Sequence, residues 1–383
     1  MAVIVTFSIL MIFFSFNIYT NYFHHKWFFF HIAMSLVLCW NIMMVTDITV
    51  AAFFFYFLCS SAYTGLLTIN NHFAHPKGSG LNINLAYSVT KTHVVLLGAG
   101  ILLLFLKEKV VYNIFRSVEY LLLANILMTF LPKKWTEFSI ESKERKAPIF
   151  GMGANTSVNA TLTSLMVPFI LPFFPENPLW YGTILILALL SILKARASVG
   201  AGAFVASLFV YFSFYFDFSF YYFLYFGLTF LVFLFIADVL MRRAAPITNG
   251  IFYVSGRNHI YSFAKNNVWN NANKFLGIGA GAFEYLMPTI QTEALKQGKD
   301  KNNMATYCWL HSDIGQVIIE GGWVGFALAA IAFLASVWMC FQNHNWVGLS
   351  FLAAYFVNSA VNFPNHLAPD CFLVLVMLKY IYL

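Results

Sequence analysis

The sequence predicts an all-α polytopic membrane protein, and three observations support this prediction. Of the 383 residues, 60% are hydrophobic and only 10% are charged, whereas a soluble domain carries about 25% charged residues. Because so little charge cannot cover a water-soluble globule, most of the surface must face lipid. The hydrophobic residues also form long continuous runs that do not alternate with polar residues, which indicates helices and argues against a transmembrane β-barrel.

The apolar runs have the length of membrane-spanning helices, because about 20 apolar residues cross the hydrocarbon core of a bilayer. By this criterion the chain has about 12 transmembrane helices. The predicted spans are approximately residues 2–19, 27–45, 48–69, 84–106, 110–130, 154–174, 178–194, 198–215, 218–240, 314–341, 345–361 and 366–383.

One connection between these spans is much longer than the others. Residues 241–313 mix polar with aromatic residues, and we expect them to form a folded lobe outside the membrane. Within this lobe, the run Tyr261–Phe275 is typical of short amphipathic helices that lie on a membrane surface. We therefore expect residues 1–383 to form a single integral membrane domain with one large extramembrane loop.

The net charge of +7 is unevenly distributed. Basic residues gather in three segments, 133–146, 194–196 and 242–301. Such clusters either anchor loops at the membrane surface or bind an anionic ligand. An even number of spans puts Arg196, Arg257 and His311 on the same side of the membrane, although they are far apart in sequence.

The segment before the predicted span 314–341 carries the strongest local motif, Trp309-Leu310-His311-Ser312-Asp313. Asp313 and Gln316 have the spacing of a capping box, which predicts that a helix begins here. The N–H groups at a helix start disfavour an imidazolium, and a neutral imidazole is suited to general-base catalysis. Alternatively, His311 is an interfacial histidine that reaches water.

Two further segments are candidates for binding phosphate. In the first, Ser255-Gly256-Arg257 is followed by the glycine run at Gly277, Gly279 and Gly281. This run lacks the strands of a dinucleotide-binding unit, so it indicates either a backbone that approaches a phosphate or a compact turn. In the second, Arg196 lies between two spans and either anchors that turn or offers its planar guanidinium to phosphate oxygens.

Other polar residues favour structural roles. Arg116 and Glu119 stand three apart in one apolar run, so we expect them to pair within a helix. We expect hydrogen bonds between helices from three asparagines, Asn155, Asn159 and Asn358. The spacing of the five cysteines and ten histidines predicts neither a disulfide nor a metal site, and we expect no cofactor.

The order of these motifs resembles that of the O-antigen polymerase and O-antigen ligase superfamily of bacterial membrane glycosyltransferases. The resemblance covers about residues 150–383. It depends on the succession of Arg196, Ser-Gly-Arg257, Gly277-x-Gly279-x-Gly281-x-Phe283, His311, Glu320-Gly321-Gly322, Asn362-Phe363-Pro364 and His366.

This resemblance implies a fold of GT-C type in the bacterial inner membrane, with the large loop and the active site facing the periplasm. It implies a donor glycan linked to undecaprenyl pyrophosphate, without metal or nucleotide sugar. Arg196 and Arg257 would bind the pyrophosphate, His311 would accept the proton of the acceptor hydroxyl, and the sugar would be transferred with inversion. The glycine run and Glu320 would contribute to substrate binding.

Several alternatives remain open at this stage. A polymerase would join carrier-linked repeat units in lipopolysaccharide or other polysaccharide biosynthesis, and the compactness of the chain favours it. A ligase would transfer a finished glycan to lipid A-core or to a protein. A flippase or transporter of lipid-linked glycans is a third reading, although the sequence has no repeat symmetry. The positive-inside tendency favours the opposite orientation, with the basic loops in the cytoplasm.

Overall fold

A computed structural model describes residues 108–131, 156–195, 197–216, 257–296, 309–362, 364–366 and 368–383. Within these ranges the chain is mostly helical and contains no β-strand. The helices are α1 (Glu108–Phe130), α2 (Thr156–Ile170), α3 (Pro178–Lys194), α4 (Ser198–Tyr215), α5 (Arg257–Asn267), α6 (Phe283–Lys296), α7 (Asp313–Gln342), α8 (Trp346–Val361) and α9 (Ala368–Ile381).

The apolar runs in this part of the chain form helices, as their composition predicts. Two of these helices, α4 and α7, are long and apolar enough to cross a membrane, and three shorter apolar helices accompany them. The predicted spans up to residue 106 and the span 218–240 lie outside the described residues. The total of about 12 spans therefore stays a prediction.

The chain divides into two compact units. In the described ranges, the first contains residues 257–296 and 309–334, and we call it the glycine-loop unit. The second contains residues 108–131, 156–195, 197–216, 335–362, 364–366 and 368–383, and we call it the bundle unit.

Two helices of the bundle unit begin at asparagine caps. The side chain of Asn177 accepts a hydrogen bond from the backbone N–H of Trp180 at 3.1 Å, and Pro178 occupies the first helical position of α3. At the start of α8, Asn345 accepts the N–H of Gly348 at 2.8 Å. An asparagine oxygen accepts a hydrogen bond from an N–H that has no partner within the helix. Proline at the first helical position costs no hydrogen bond, because the N–H that it lacks would have had no partner there.

Hydrogen bonds between polar side chains join α2 to its neighbours. Asn159 Nδ2 on α2 donates to Thr129 Oγ1 on α1 at 3.0 Å, and Asn358 Nδ2 on α8 donates to Ser164 Oγ on α2 at 3.0 Å. These four side chains are buried. The prediction that Asn159 and Asn358 bond between helices is confirmed, whereas Asn155 lies outside the described residues.

Helix α4 approaches both α2 and α8 closely. A Cβ atom added to Gly200 would lie 2.6 Å from the Cβ of Ala160 on α2, so only glycine permits this separation. The hydroxyl oxygens of Ser207 on α4 and Ser350 on α8 lie 2.7 Å apart. Small and hydroxyl-bearing residues of this kind are typical of helix contacts within membranes, where close backbone approach replaces the hydrophobic effect.

The predicted pair between Arg116 and Glu119 is wrong. The Glu119 carboxylate accepts hydrogen bonds from Trp180 Nε1 at 3.0 Å and Tyr181 Oη at 3.1 Å. Arg116 instead forms a 3.2 Å ion pair with Glu176 in the segment between α2 and α3. Although spacing along α1 would allow the local pair, Glu119 is buried and two neutral donors of α3 satisfy it, while Arg116 is half exposed.

The glycine-loop unit has its own hydrophobic core. Helix α5 is amphipathic, with Ile260, Phe263 and Ala264 buried and Lys265 and Asn266 exposed. Its apolar side packs against protein, and the location of the run Tyr261–Phe275 on a membrane surface stays a prediction. The core comprises Ile260, Phe263, Ala264, Val268, Ile278, Ala282, Phe283, Leu286, Met287, Leu310 and Ile319.

Candidate functional site

His311 lies immediately before α7 in a conformation that residues with a side chain rarely adopt. Its φ angle is 59°, in the left-handed region. On one side, Leu310 is buried in the core of the glycine-loop unit. On the other side, Ser312 caps α7, because its Oγ accepts the N–H of Gly315 at 3.0 Å. The helix begins at Asp313 as predicted, but Ser312 and not Asp313 supplies this cap.

Helix α5 holds the backbone of His311 through one hydrogen bond. The hydroxyl of Tyr261 donates to the carbonyl oxygen of His311 at 3.1 Å. Arg257, the first residue of α5, precedes Tyr261 by four positions, which is about one turn of helix or 6 Å along its axis. The structure therefore brings the backbone at Arg257 and the backbone at His311 to the same part of one unit.

Not every predicted site residue can be located in this way. The side chain of Arg257 and all of Arg196 lie outside what the structure describes. The neighbouring Lys194 ends α3, and its ammonium donates to the carbonyl oxygen of Thr129 at 2.8 Å. The convergence of the two arginines with His311 stays a prediction.

The three glycines of the predicted run all have positive φ angles: 69° at Gly277, 99° at Gly279 and 79° at Gly281. This backbone packs against a break in α7, where Gly322 has φ 62° and ψ −164°. We call residues 272–282 the glycine loop. Only glycine adopts the conformation of Gly322 without strain.

Backbone hydrogen bonds from the glycine loop satisfy the groups that the break in α7 exposes. Before the break, the carbonyl oxygens of Ile319 and Glu320 accept the N–H groups of Ile278 at 3.0 Å and Gly279 at 2.9 Å. After the break, the N–H groups of Trp323 and Val324 donate to the carbonyl oxygens of Lys274 and Phe275 at 2.9 and 3.0 Å. Broken helices persist at a membrane when protein groups replace the lost bonds in this way.

Two glycines make the close approach possible. A Cβ atom on Gly277 would lie 2.2 Å from the carbonyl oxygen of Glu320, and one on Gly322 would lie 2.3 Å from the carbonyl carbon and oxygen of Phe275. Real Cβ atoms essentially never approach backbone atoms so closely. The loop and the helix break are therefore matched to each other at these two positions.

The carboxylate of Glu320 connects this loop to α6. Its Oε1 accepts the N–H of Phe283, the first residue of α6, at 3.1 Å, and the Gly281 N–H also bonds to it. Gln316 Nε2 donates to the same oxygen at 3.2 Å. A carboxylate at this position caps the helix and is favoured by its dipole. The predicted role of Glu320 and the three glycines in substrate binding stays a prediction beside this structural role.

Gln316 extends the network to the residue before His311. Its Oε1 accepts the backbone N–H of Leu310 at 3.4 Å. The series of hydrogen bonds from α6 through Glu320 and Gln316 therefore ends at Leu310, the residue before His311. Tyr261 of α5 donates separately to the carbonyl oxygen of His311. Sequence reasoning missed Tyr261, although its place one turn after Arg257 was a usable signal.

In the described ranges, no group of three or more His, Cys, Asp or Glu side chains could hold a metal ion. The described part of the network places one histidine immediately before a helix N-terminus, with the backbone of Arg257 at the start of α5. No protein-family model matches the chain, and no curated protein sequence matches it.

Proposed function

We propose that the chain is a membrane glycosyltransferase that transfers a glycan from an undecaprenyl-pyrophosphate carrier to an acceptor hydroxyl, with inversion at the anomeric carbon. In this proposal it has about 12 membrane-spanning helices and a GT-C-type architecture, and its site faces the periplasm of a bacterial inner membrane. Its reaction is polymerisation of polysaccharide repeat units. It belongs, on this view, with the O-antigen polymerases and ligases that the motif order resembles.

The observation that carries the proposal is the hydrogen bond from Tyr261 to His311. It links the helix that begins at Arg257 to a histidine held in a left-handed conformation beside a helix start. A general base requires a fixed backbone, because it must lie within hydrogen-bond distance of the proton that it accepts before its pKa can matter. A histidine that served only to reach water would need no such constraint.

In the proposed reaction, the sugar passes from the pyrophosphate oxygen to the acceptor oxygen. The imidazole of His311 accepts the proton of the acceptor hydroxyl, whose oxygen forms a bond to the anomeric carbon. The bond from that carbon to the pyrophosphate oxygen breaks, and the pyrophosphate leaves with the electron pair. Arg257 and Arg196 stabilise the charge that develops on this leaving group. Because attack and departure occur on opposite sides of the carbon, the configuration inverts.

The test compares two histidines with similar backbones. His311 and His344 are the residues other than glycine with positive φ among those described, at 59° and 48°. His344 lies between α7 and α8. We expect His311→Ala to lower the rate of glycan transfer in proteoliposomes by about 10²–10⁴-fold, the usual contribution of a general base, and His344→Ala to leave it nearly unchanged.

The same assay tests the arginine. We expect Arg257→Lys to impair turnover, because an ammonium cannot replace the planar fork of a guanidinium on pyrophosphate. Arg116→Lys is the matched control, since Arg116 is occupied by its ion pair with Glu176. Full activity of both His311→Ala and Arg257→Lys would reject the proposal.

A further inference from the structure

We propose that Phe275 and Leu276, at the tip of the glycine loop, insert into the acyl-chain region of the bilayer beside the point where α7 enters it. These two side chains are 70% and 41% exposed, although they adjoin a well-packed core. The partner of this surface is bulk membrane lipid. The proposal depends only on the membrane-spanning character of α7 and not on the glycosyltransferase reaction.

The loop tip is continuous with the apolar part of α7. The backbone N–H of Val324 donates directly to the carbonyl oxygen of Phe275, so the tip and the start of this part lie side by side. From Trp323 to Gln342 the helix is apolar and has the length of about 20 residues that crosses a hydrocarbon core. The depth of Trp323 in the bilayer therefore fixes the depth of Phe275.

The exposed side of α7 shows what surrounds this region. Large apolar side chains recur along it at helical spacing, with exposed fractions of 45% at Val324 and 63% at each of Leu328, Ile331 and Leu334. Single exposed apolar residues are ordinary on a protein surface, but a continuous stripe is not. On a helix that crosses a membrane, such a stripe faces lipid, and the loop tip extends it.

Residues beside the tip have the character of a membrane–water boundary. The rings of Trp269 and Trp323 are in edge contact, with centroids 6.1 Å apart. The ammonium of Lys274 lies 4.5 Å from the centre of the Trp269 ring and also donates to the carbonyl oxygen of Trp269. Tryptophan and lysine are enriched at this level of a bilayer, because each has an apolar body and a polar end.

The residues that precede the loop tip are mostly polar. Asn270, Asn271 and Asn273 are exposed, and they are followed by Lys274 and then by the apolar pair at the tip. The segment from Asn270 to Leu276 thus passes from polar through amphipathic to apolar residues. The surroundings change in the same order from water into a bilayer. A protein partner would not need this gradient to run parallel to a membrane-spanning helix.

The experiment places a cysteine at the tip and at a polar control position in the full-length chain. The five native cysteines are first replaced by alanine, and Phe275→Cys and Thr292→Cys are then made separately. Thr292 is exposed on α6, next to an exposed ion pair between Glu293 and Lys296. Each variant is labelled with bimane and reconstituted into vesicles that contain nitroxide-labelled phospholipids.

We expect bimane at Phe275 to emit at shorter wavelength and to be quenched more strongly by the nitroxide lipids than bimane at Thr292. We also expect a membrane-impermeant maleimide to label Phe275→Cys in denaturant but not in opened vesicles. Thr292→Cys should be labelled under both conditions. Equal quenching and equal labelling at the two positions would overturn the proposal.

A second measurement needs no cysteine replacement. A photoreactive benzophenone side chain at Phe275, introduced in the otherwise unmodified chain, should give a phospholipid adduct that mass spectrometry identifies. A cross-link to a protein without any lipid adduct would assign the surface to a protein partner and reject lipid insertion.

Discussion

A methyl group added at Gly322 should destabilise the protein far more than one added at Gly321. At Gly322 the backbone has φ 62° and ψ −164°, and the new Cβ would lie 2.3 Å from the carbonyl carbon and oxygen of Phe275 and 2.6 Å from the N of Gly277. At Gly321 an added Cβ meets nothing within 4 Å. The two positions are adjacent and receive the same single carbon.

The magnitude follows from two contributions. The conformation of Gly322 is nearly exclusive to glycine, and a residue with a side chain there is strained by about 1–3 kcal/mol. To relieve the overlap, the glycine loop must move away from α7, which breaks the bonds from Trp323 and Val324 to the loop at a net loss of about 1 kcal/mol each. We therefore expect Gly322→Ala to lower the free energy of unfolding by about 3–5 kcal/mol.

Gly321→Ala should act in the opposite direction or not at all. Alanine is favoured over glycine within a helix by about 0.5–1 kcal/mol. The assay is equilibrium unfolding in mixed micelles of a mild detergent and dodecyl sulfate, followed by circular dichroism and tryptophan fluorescence. Coincident unfolding curves for the two variants would refute the account of the helix break, whatever their position relative to the unmodified chain.

Three further predictions concern side chains that form hydrogen bonds. Tyr261→Phe removes the bond to the carbonyl of His311, and we expect about a fivefold lower transfer rate, as a loss of about 1 kcal/mol implies, with unchanged KM in the proteoliposome assay. Glu320→Leu removes the oxygen that accepts the N–H of Phe283, so the free energy of unfolding should fall by about 1 kcal/mol; an unchanged value would remove the capping role. Asn358→Leu deletes the bond to Ser164, and the same unfolding measurement should show a loss of about 0.6 kcal/mol, whereas a loss of several kcal/mol would indicate a different role.

The helices could be predicted from sequence because continuous apolar runs leave the backbone few alternatives. Every N–H and C=O in a bilayer must be satisfied within the chain, and a continuous apolar run satisfies them only as a helix. The segment 178–194 and the segment 198–215 accordingly have the helical boundaries that hydropathy suggests. Where an asparagine cap or proline also marks the start, as at Asn177 and Pro178, the boundary is especially clear.

Side-chain partners could not be predicted in the same way. The choice of Glu119 between Arg116 and the donors of α3 depends on how α1 and α3 pack, and spacing along one helix carries no information about that. The interhelical bonds of Asn159 and Asn358 could be anticipated only as a type, because a buried amide within membrane helices requires a partner. Their actual partners, Thr129 and Ser164, follow from packing.

At the candidate site, too, features within one segment could be predicted, whereas contacts between segments could not. Sequence reasoning singled out the three glycines as a compact turn or a phosphate-binding backbone, and it predicted the helix start at Asp313; the positive φ angles of the glycines are a finding of the structure. It did not predict that the glycine loop contacts α7. That contact depends on a break in the helix, and the sign of this break in the sequence is the Gly321-Gly322 pair. Glycine pairs are a recognised cause of kinks, and this signal within an apolar run would have indicated the break.

The central claim is glycan transfer by this chain alone. The most direct measurement supplies the purified protein in proteoliposomes with lipid-linked repeat units, with and without lipid A-core, and resolves the products by mass. We predict glycans of several repeat units on the carrier without lipid A-core, and none with His311→Ala. Glycan that moves to lipid A-core without lengthening would make the chain a ligase, and unchanged donor under both conditions would contradict the claim.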